Sequence, residues 1–314
     1  MPYVLFLVLC GVWGSSFILM KKATAVFDPF TVGLIRVLGG VAVLVLVCWA
    51  SQRKSSTTTR PIRAWLLVLF PAVLVPGVLG MAYPFAMQPY LIGKYQDSGF
   101  FGMMICLVPL MTVIARVPLL KVWPTARELI GVVGGLGFVG LLFADGSVRG
   151  MPPLAIALAV TVPACYAVSN TFVKRALSND PPVVVTLSAM VVACVLYLPV
   201  CTVQTNAPAA LTSGQYGAGD ITAALLAAVV LGVIGTGLAT WVFYHLVRQR
   251  GPLFAGMVTY LVSGIAVFWG YLDGESLTTR QIIALVGILL MVAVVQAPLP
   301  DRGHGGVKPS SNNI

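Results

Sequence analysis

The residue whose type and position most invite chemistry is Arg36, six residues into an apolar run that starts at residue 30. An ionisable side chain at that depth is a functional-site hypothesis by default. Its fork of N–H donors could hold a carboxylate or phosphate bidentately. Its stem could equally let it snorkel outward toward Asp28 or lipid headgroups. We read it as structural or gating, with Lys21 and Lys22 able to join it in an anion-attracting vestibule. Further polar and aromatic side chains interrupt the apolar runs: Trp13, Ser16, Tyr83, Gln88, Tyr90, Asn170, Trp241 and Tyr244. Hydroxyls and amides there orient a ligand or cross-link helices, and aromatic faces stack on rings or cations. With Arg36 they form the expected substrate-binding set. His245 could shuttle protons, or cap a helix end.

No catalytic residue is expected. The chain has no Walker loop, and its two histidines do not supply an HExxH site. Its six cysteines lie in or beside apolar runs without a CxxC pair, so they read as small hydrophobes. No metal site and no cofactor is expected.

The elements that must position these residues are set by hydropathy. Of 314 residues, 59% are hydrophobic and 9% charged, too few charges to solvate a globular surface. Mean hydropathy is +0.97. Ten runs have the length of a bilayer span: 4–22, 30–50, 64–86, 98–120, 128–144, 153–175, 183–203, 221–245, 252–272 and 280–297. The first lacks a basic n-region and a small-residue cleavage site, so it reads as a mature helix rather than a signal peptide. The tail 298–314 is polar and glycine-rich, and is expected to be disordered. The net charge of +10 would suggest nucleic acid in a soluble protein. Here the basic residues sit in short gaps between spans. With the N-terminus cytoplasmic, thirteen Lys and Arg fall inside and five outside, with Arg36 within a span. The positive-inside rule therefore favours both termini in the cytoplasm. The expected partners are the lipid bilayer and a small-molecule substrate, not nucleic acid; the sequence leaves oligomeric state open.

The chain also repeats itself. One ungapped offset of 153 residues lays WGSSFILMKKA (13–23) over YAVSNTFVKRA (166–176), and PTARELIGVVG (124–134) over LTTRQIIALVG (277–287). It pairs Ser16 with Ser169, Lys21 with Lys174, Pro29 with Pro182 and Gln96 with Gln249. Each copy, 1–144 and 153–297, holds five spans. An odd number forces the second copy to enter the membrane from the opposite side, as in carriers that alternate access around a midplane site. Broken helices at matching places in such halves point to the site. Spans 3 and 8 qualify, with Pro71, Pro76, Gly77, Gly80 and Pro84 in one and Gly232, Gly235 and Gly237 in the other. Helix packing alone would also account for them.

Trp13, Gly14, Phe17 and Lys21 in span 1, LIRVLGGVAV around Arg36, LVPLMTVIARVPLL in span 4, and Gly274, Glu275, Leu277, Thr278 and Gln281 before span 10 resemble the drug/metabolite transporter superfamily, in particular its EamA-type branch. The chain departs from that pattern in LLKVWPTAREL, which has no glycine-glutamate, and in Ser263-Gly264 where the family usually has proline. The resemblance implies an all-α integral membrane fold of ten helices in two inverted five-helix repeats. It further implies a cavity lined by helices 1, 3, 4, 6, 8 and 9, in a carrier of small organic solutes resident in a bacterial inner membrane. No Asp or Glu lies in the middle of any span, which removes the simplest carboxylate-based proton coupling. A channel-like facilitator or a membrane-embedded enzyme remains the alternative.

Overall fold

The computed structural model describes residues 2–54, 71–148, 150–204 and 215–296. The tail 298–314, the loop with Arg60 and Arg63, and Arg149 lie outside the described residues. The described residues form ten helices in sequence. They are α1 (Pro2–Thr24), α2 (Pro29–Lys54), α3 (Pro71–Tyr95), α4 (Ser98–Leu120), α5 (Ala126–Val148), α6 (Pro153–Ala176), α7 (Pro182–Gln204), α8 (the consecutive segments Ala218–Gly232, Val233–Leu238 and Ala239–Gly256), α9 (Val258–Leu272) and α10 (Thr279–Gln296). Among the described residues, eight helices are long and apolar enough to cross a bilayer, and α9 is a shorter apolar one. Large apolar side chains such as Leu46, Ile130, Leu198, Leu226, Ile283 and Leu290 face outward, as a lipid-covered surface permits. The chain is a multi-pass membrane protein.

Helix ends follow local chemistry. Asp28 caps α2, its Oδ1 accepting from the N–H groups of Phe30 and Thr31 at 3.0 Å each, with Pro29 at the first helical position, where no N–H is needed. Its mate Pro182 opens α7 in the same way. Thr278 and Gln281 form a reciprocal capping box at α10, each side chain accepting from the other's backbone N–H at 3.1 Å. Thr125 and Glu128 repeat the device at α5, one offset earlier. The third and eighth helices run past their expected ends at 86 and 245. Pro89 interrupts one backbone hydrogen bond of α3 without stopping it, since neighbouring helices stabilise a proline-bearing span.

Packing obeys the same offset. α1 packs on α9 and its mate α6 on α4; α2 packs on the middle of α8 and its mate α7 on the middle of α3; α2 pairs with α7, and α5 with α10. Exchanging the repeats maps each contact onto another, which identifies two copies of one five-helix unit. Lipid tails are as apolar as leucine, so helices associate through close packing rather than hydrophobic exclusion. Glycines provide that closeness. A Cβ on Gly39 would lie 2.8 Å from the backbone of Gly232. On α5, Gly131 and Gly134 face Val295 and Met291 of α10, whereas Gly137 and Gly140 meet nothing within 4 Å.

Candidate functional site

Both broken helices widen at corresponding places. α3 contains a π-helical turn at Val78–Ala82 and α8 one at Val233–Leu238. Pro84 cannot donate the bond that would close on Gly80, and the glycines around 235 allow the wider turn. Such turns release carbonyls from the helical ladder and cluster at functional sites. Each turn also has a carbonyl that accepts a side chain from the other repeat. Trp13 Nε1 of α1 donates to Gly235 O at 3.0 Å, and the Tyr197 hydroxyl of α7 donates to Ala82 O. Residues 82 and 235 are mates under the offset. Ser16 lies against Gly235, and its mate Ser169 against Gly80.

Arg36 points into this crossing. It stands seven residues in from Pro29, about 10 Å along the helix axis, and is only 7% exposed. It does not snorkel to Asp28, whose carboxylate is engaged at the α2 N-terminus. Arg36 Nε donates to Thr236 Oγ1 of α8 at 2.9 Å. Its Nη1 faces Met20 Sδ of α1 at 3.6 Å. The guanidinium carbon lies 3.8 Å from the ring centroid of Phe85 on α3, a cation–π contact. The phenols of Tyr166 (α6) and Tyr197 are near enough to interact with its charge. Five other helices thus converge on one side chain of α2. No carboxylate pairs with it among the described residues. One helical turn beyond Phe85, Gln88 is also buried and makes no hydrogen bond among the described residues. It lines a void of about 10 Å³ with Leu91, Phe101, Met104 and Ala159, about the space of one water.

The other expected site residues are dispersed. Tyr83 shares a 2.5 Å hydrogen bond with Thr161 Oγ1 of α6. Tyr90 is exposed beside Lys94. Asn170 is exposed, and its neighbour Ser169 takes the interior position; one residue on a helix turns a side chain by about 100°. Trp241 stacks on His245 with ring centroids 5.9 Å apart, and His245 bonds Gln249 at 2.9 Å, all on α8. Tyr244 bonds Thr186 of α7. The structure therefore gathers Trp13, Ser16 and Arg36 at the crossing with Gln88 close by, but not Tyr90, Asn170, Trp241 or His245. Phe85, Thr236 and Tyr197 were not anticipated; nothing in their local sequence marks them, because they matter only through what faces them.

A second constellation closes the bundle end that carries the α1–α2, α3–α4 and α9–α10 turns. Lys21 Nζ lies 2.8 Å from both Asp273 Oδ2 and Glu275 Oε1. Glu275 also accepts from Ser98 N, Ser98 Oγ and Gly99 N, each at 2.8 Å, so one carboxylate ties α1 and the N-terminus of α4 to the α9–α10 turn. Burial raises the pKa of Glu275, but Lys21 and the Gly99 and Ser98 donors outweigh it and hold the carboxyl below the ordinary value. Gly274 makes the turn with φ +82°, a conformation that favours glycine. Lys22 and Asp273 border a cleft of about 380 Å³ between α1 and α9, where Trp269 Nε1 donates to Ser15 Oγ at 2.8 Å; neither lysine joins Arg36. The first repeat keeps the turn but not the clamp. Lys121, mate of Gly274, has φ +56°, and Val122 stands where Glu275 would. Lys174, mate of Lys21, is exposed and has no ion pair among the described residues.

The EamA-like transporter family matches residues 1–144 and 153–296. No curated protein matches the sequence. A solved crystal structure of a protein 18% identical to this one superposes with a TM-score of 0.60, over 94% of this chain and 96% of that chain. At that identity the similarity describes the fold alone.

Proposed function

Because this chain belongs to the EamA-like transporter family, a group of drug/metabolite-type carriers, we propose that it exports or exchanges small organic metabolites such as amino acids by alternating access. The observation that carries this reading is the pair of π-helical turns in α3 and α8, which overlap under the repeat offset and are each bonded to a helix of the other repeat. Broken helices at a repeat interface are where carriers of this architecture hold their cargo. Arg36 is nearly enclosed, so a solute reaches it only if the repeats part at the α2–α8 crossing.

In this proposal the N-terminus lies in the cytoplasm of a bacterium, in keeping with the charge distribution. The Lys21–Asp273–Glu275 clamp then faces outward and acts as the latch of the external gate. Among the described residues the opposite end, with Val122 in place of the glutamate, has no matching clamp; its ion pair, Arg116–Glu128, joins α4 to α5 within one repeat. His245 bonds and stacks within its own helix, which favours facilitated export or exchange over proton coupling at that residue.

Counterflow in proteoliposomes tests the reading. Liposomes preloaded with a mixture of unlabelled metabolites should accumulate the matching labelled solute transiently, with saturation. Flux linear in concentration without counterflow would instead identify a channel.

A further inference from the structure

We propose that the transported solute carries a single carboxylate, and that Arg36 is its anchor. The assignment rests on the carrier reading above and adds a substrate class to it. A guanidinium has five N–H donors. One meets Thr236 Oγ1, Nη1 faces only the weak acceptor Met20 Sδ, and the remaining donors meet no oxygen among the described residues. A buried charge left without a counter-charge is strongly unfavourable. It persists where something outside the fold supplies the missing partner, and the geometric match to a planar fork is an oxyanion.

Charge selects among oxyanions. Lys21 is committed to Asp273 and Glu275, so Arg36 offers one positive charge. That suits a carboxylate and leaves a phosphate monoester, near two negative charges, half compensated. The surroundings suit the rest of such a molecule. Phe85 covers one face of the guanidinium, the Tyr166 and Tyr197 phenols lie nearby, and the Gln88 amide has unused hydrogen-bonding capacity one turn from Phe85. Arg36 belongs to the first repeat and Thr236 to the second, so a carboxylate bound here would sit on the seam between the halves that must move.

The test uses the full-length purified protein and thermal unfolding. Benzoate is compared with benzamide, and phenylacetate with phenylacetamide, at matched ionic strength. The carboxylates should raise Tm of the wild type and the amides should not. Arg36→Gln should bind the carboxylates roughly 10- to 100-fold more weakly, the loss of one charge-assisted pair, and Arg36→Lys should fall between. Equal responses to acid and amide in the wild type would overturn the assignment without recourse to any variant. So would an unchanged carboxylate response in Arg36→Gln. In counterflow, transport confined to neutral or cationic solutes would remove the carboxylate and leave the carrier; linear flux without counterflow would remove the carrier, and the thermal comparison would still judge Arg36.

Discussion

Arg36 and Glu275 show how differently two charged side chains are held in one bundle. Glu275 meets a lysine and three hydrogen-bond donors, whereas Arg36 meets one hydroxyl, a thioether and a ring. The first has the contacts of a structural ion pair, the second those of a group awaiting a partner. Lys21 keeps Asp273 when Glu275 is lost, and Glu275 keeps its Ser98 and Gly99 donors when Lys21 is lost, so Glu275→Gln and Lys21→Met should each destabilise the protein by about 1–3 kcal/mol, the cost of one charge-assisted contact. The double variant should cost less than the sum by about 1–3 kcal/mol, as expected of residues in contact. Thermal or denaturant unfolding in detergent provides this cycle, and strict additivity would contradict the clamp. The sequence displayed both residues: Arg36 by its place in an apolar run, and Glu275 by its place in the family pattern. Neither partner set was legible, because Thr236 lies 200 positions from Arg36 and Lys21 lies 254 from Glu275.

At the scale of helices, the α2–α8 crossing has backbone against backbone. Gly39→Ala would drive a methyl into the main chain of Gly232, so the helices must separate, at a cost of about 1–3 kcal/mol. Gly137→Ala in α5 meets open space and should be neutral, or stabilising by up to about 1 kcal/mol through helix propensity. Unfolding of the two variants side by side distinguishes packing from propensity. Gly39 and Gly137 are the same residue type in equally apolar contexts, and nothing in the local sequence tells them apart. What separates them is the neighbour across the interface. The third and eighth helices are the converse case. Their prolines and glycines marked where the helices would break, because the lost N–H and the missing Cβ are properties of the residues themselves.

At the scale of the molecule, the clamp is confined to one end. A carboxylate whose pKa is lowered by folding contributes stability above its unfolded value, and that stability is lost as pH falls through the folded value. The latch should therefore hold across neutral and mildly acidic media. The Tm difference between wild type and Glu275→Gln should stay constant from about pH 8 to about pH 5 and shrink only below the ordinary carboxylate value. The proposed orientation has its own measurement. In intact cells, a membrane-impermeant maleimide should label Ser276→Cys at the clamp end and spare Trp123→Cys at the other.

Sequence by itself determined the class of molecule. Apolar run length set the helices, a constant offset set the two repeats, and the family pattern set the transporter class, because each of these is written in residue type and spacing. Tertiary structure decided the direction of side chains and the identity of their partners. It turned Arg36 inward instead of toward Asp28, chose Ser169 over Asn170, and committed Lys21 to Glu275. Those outcomes depend on the rotation of each helix against helices far away in the chain, and that rotation is set by packing between the repeats, which neither repeat encodes alone.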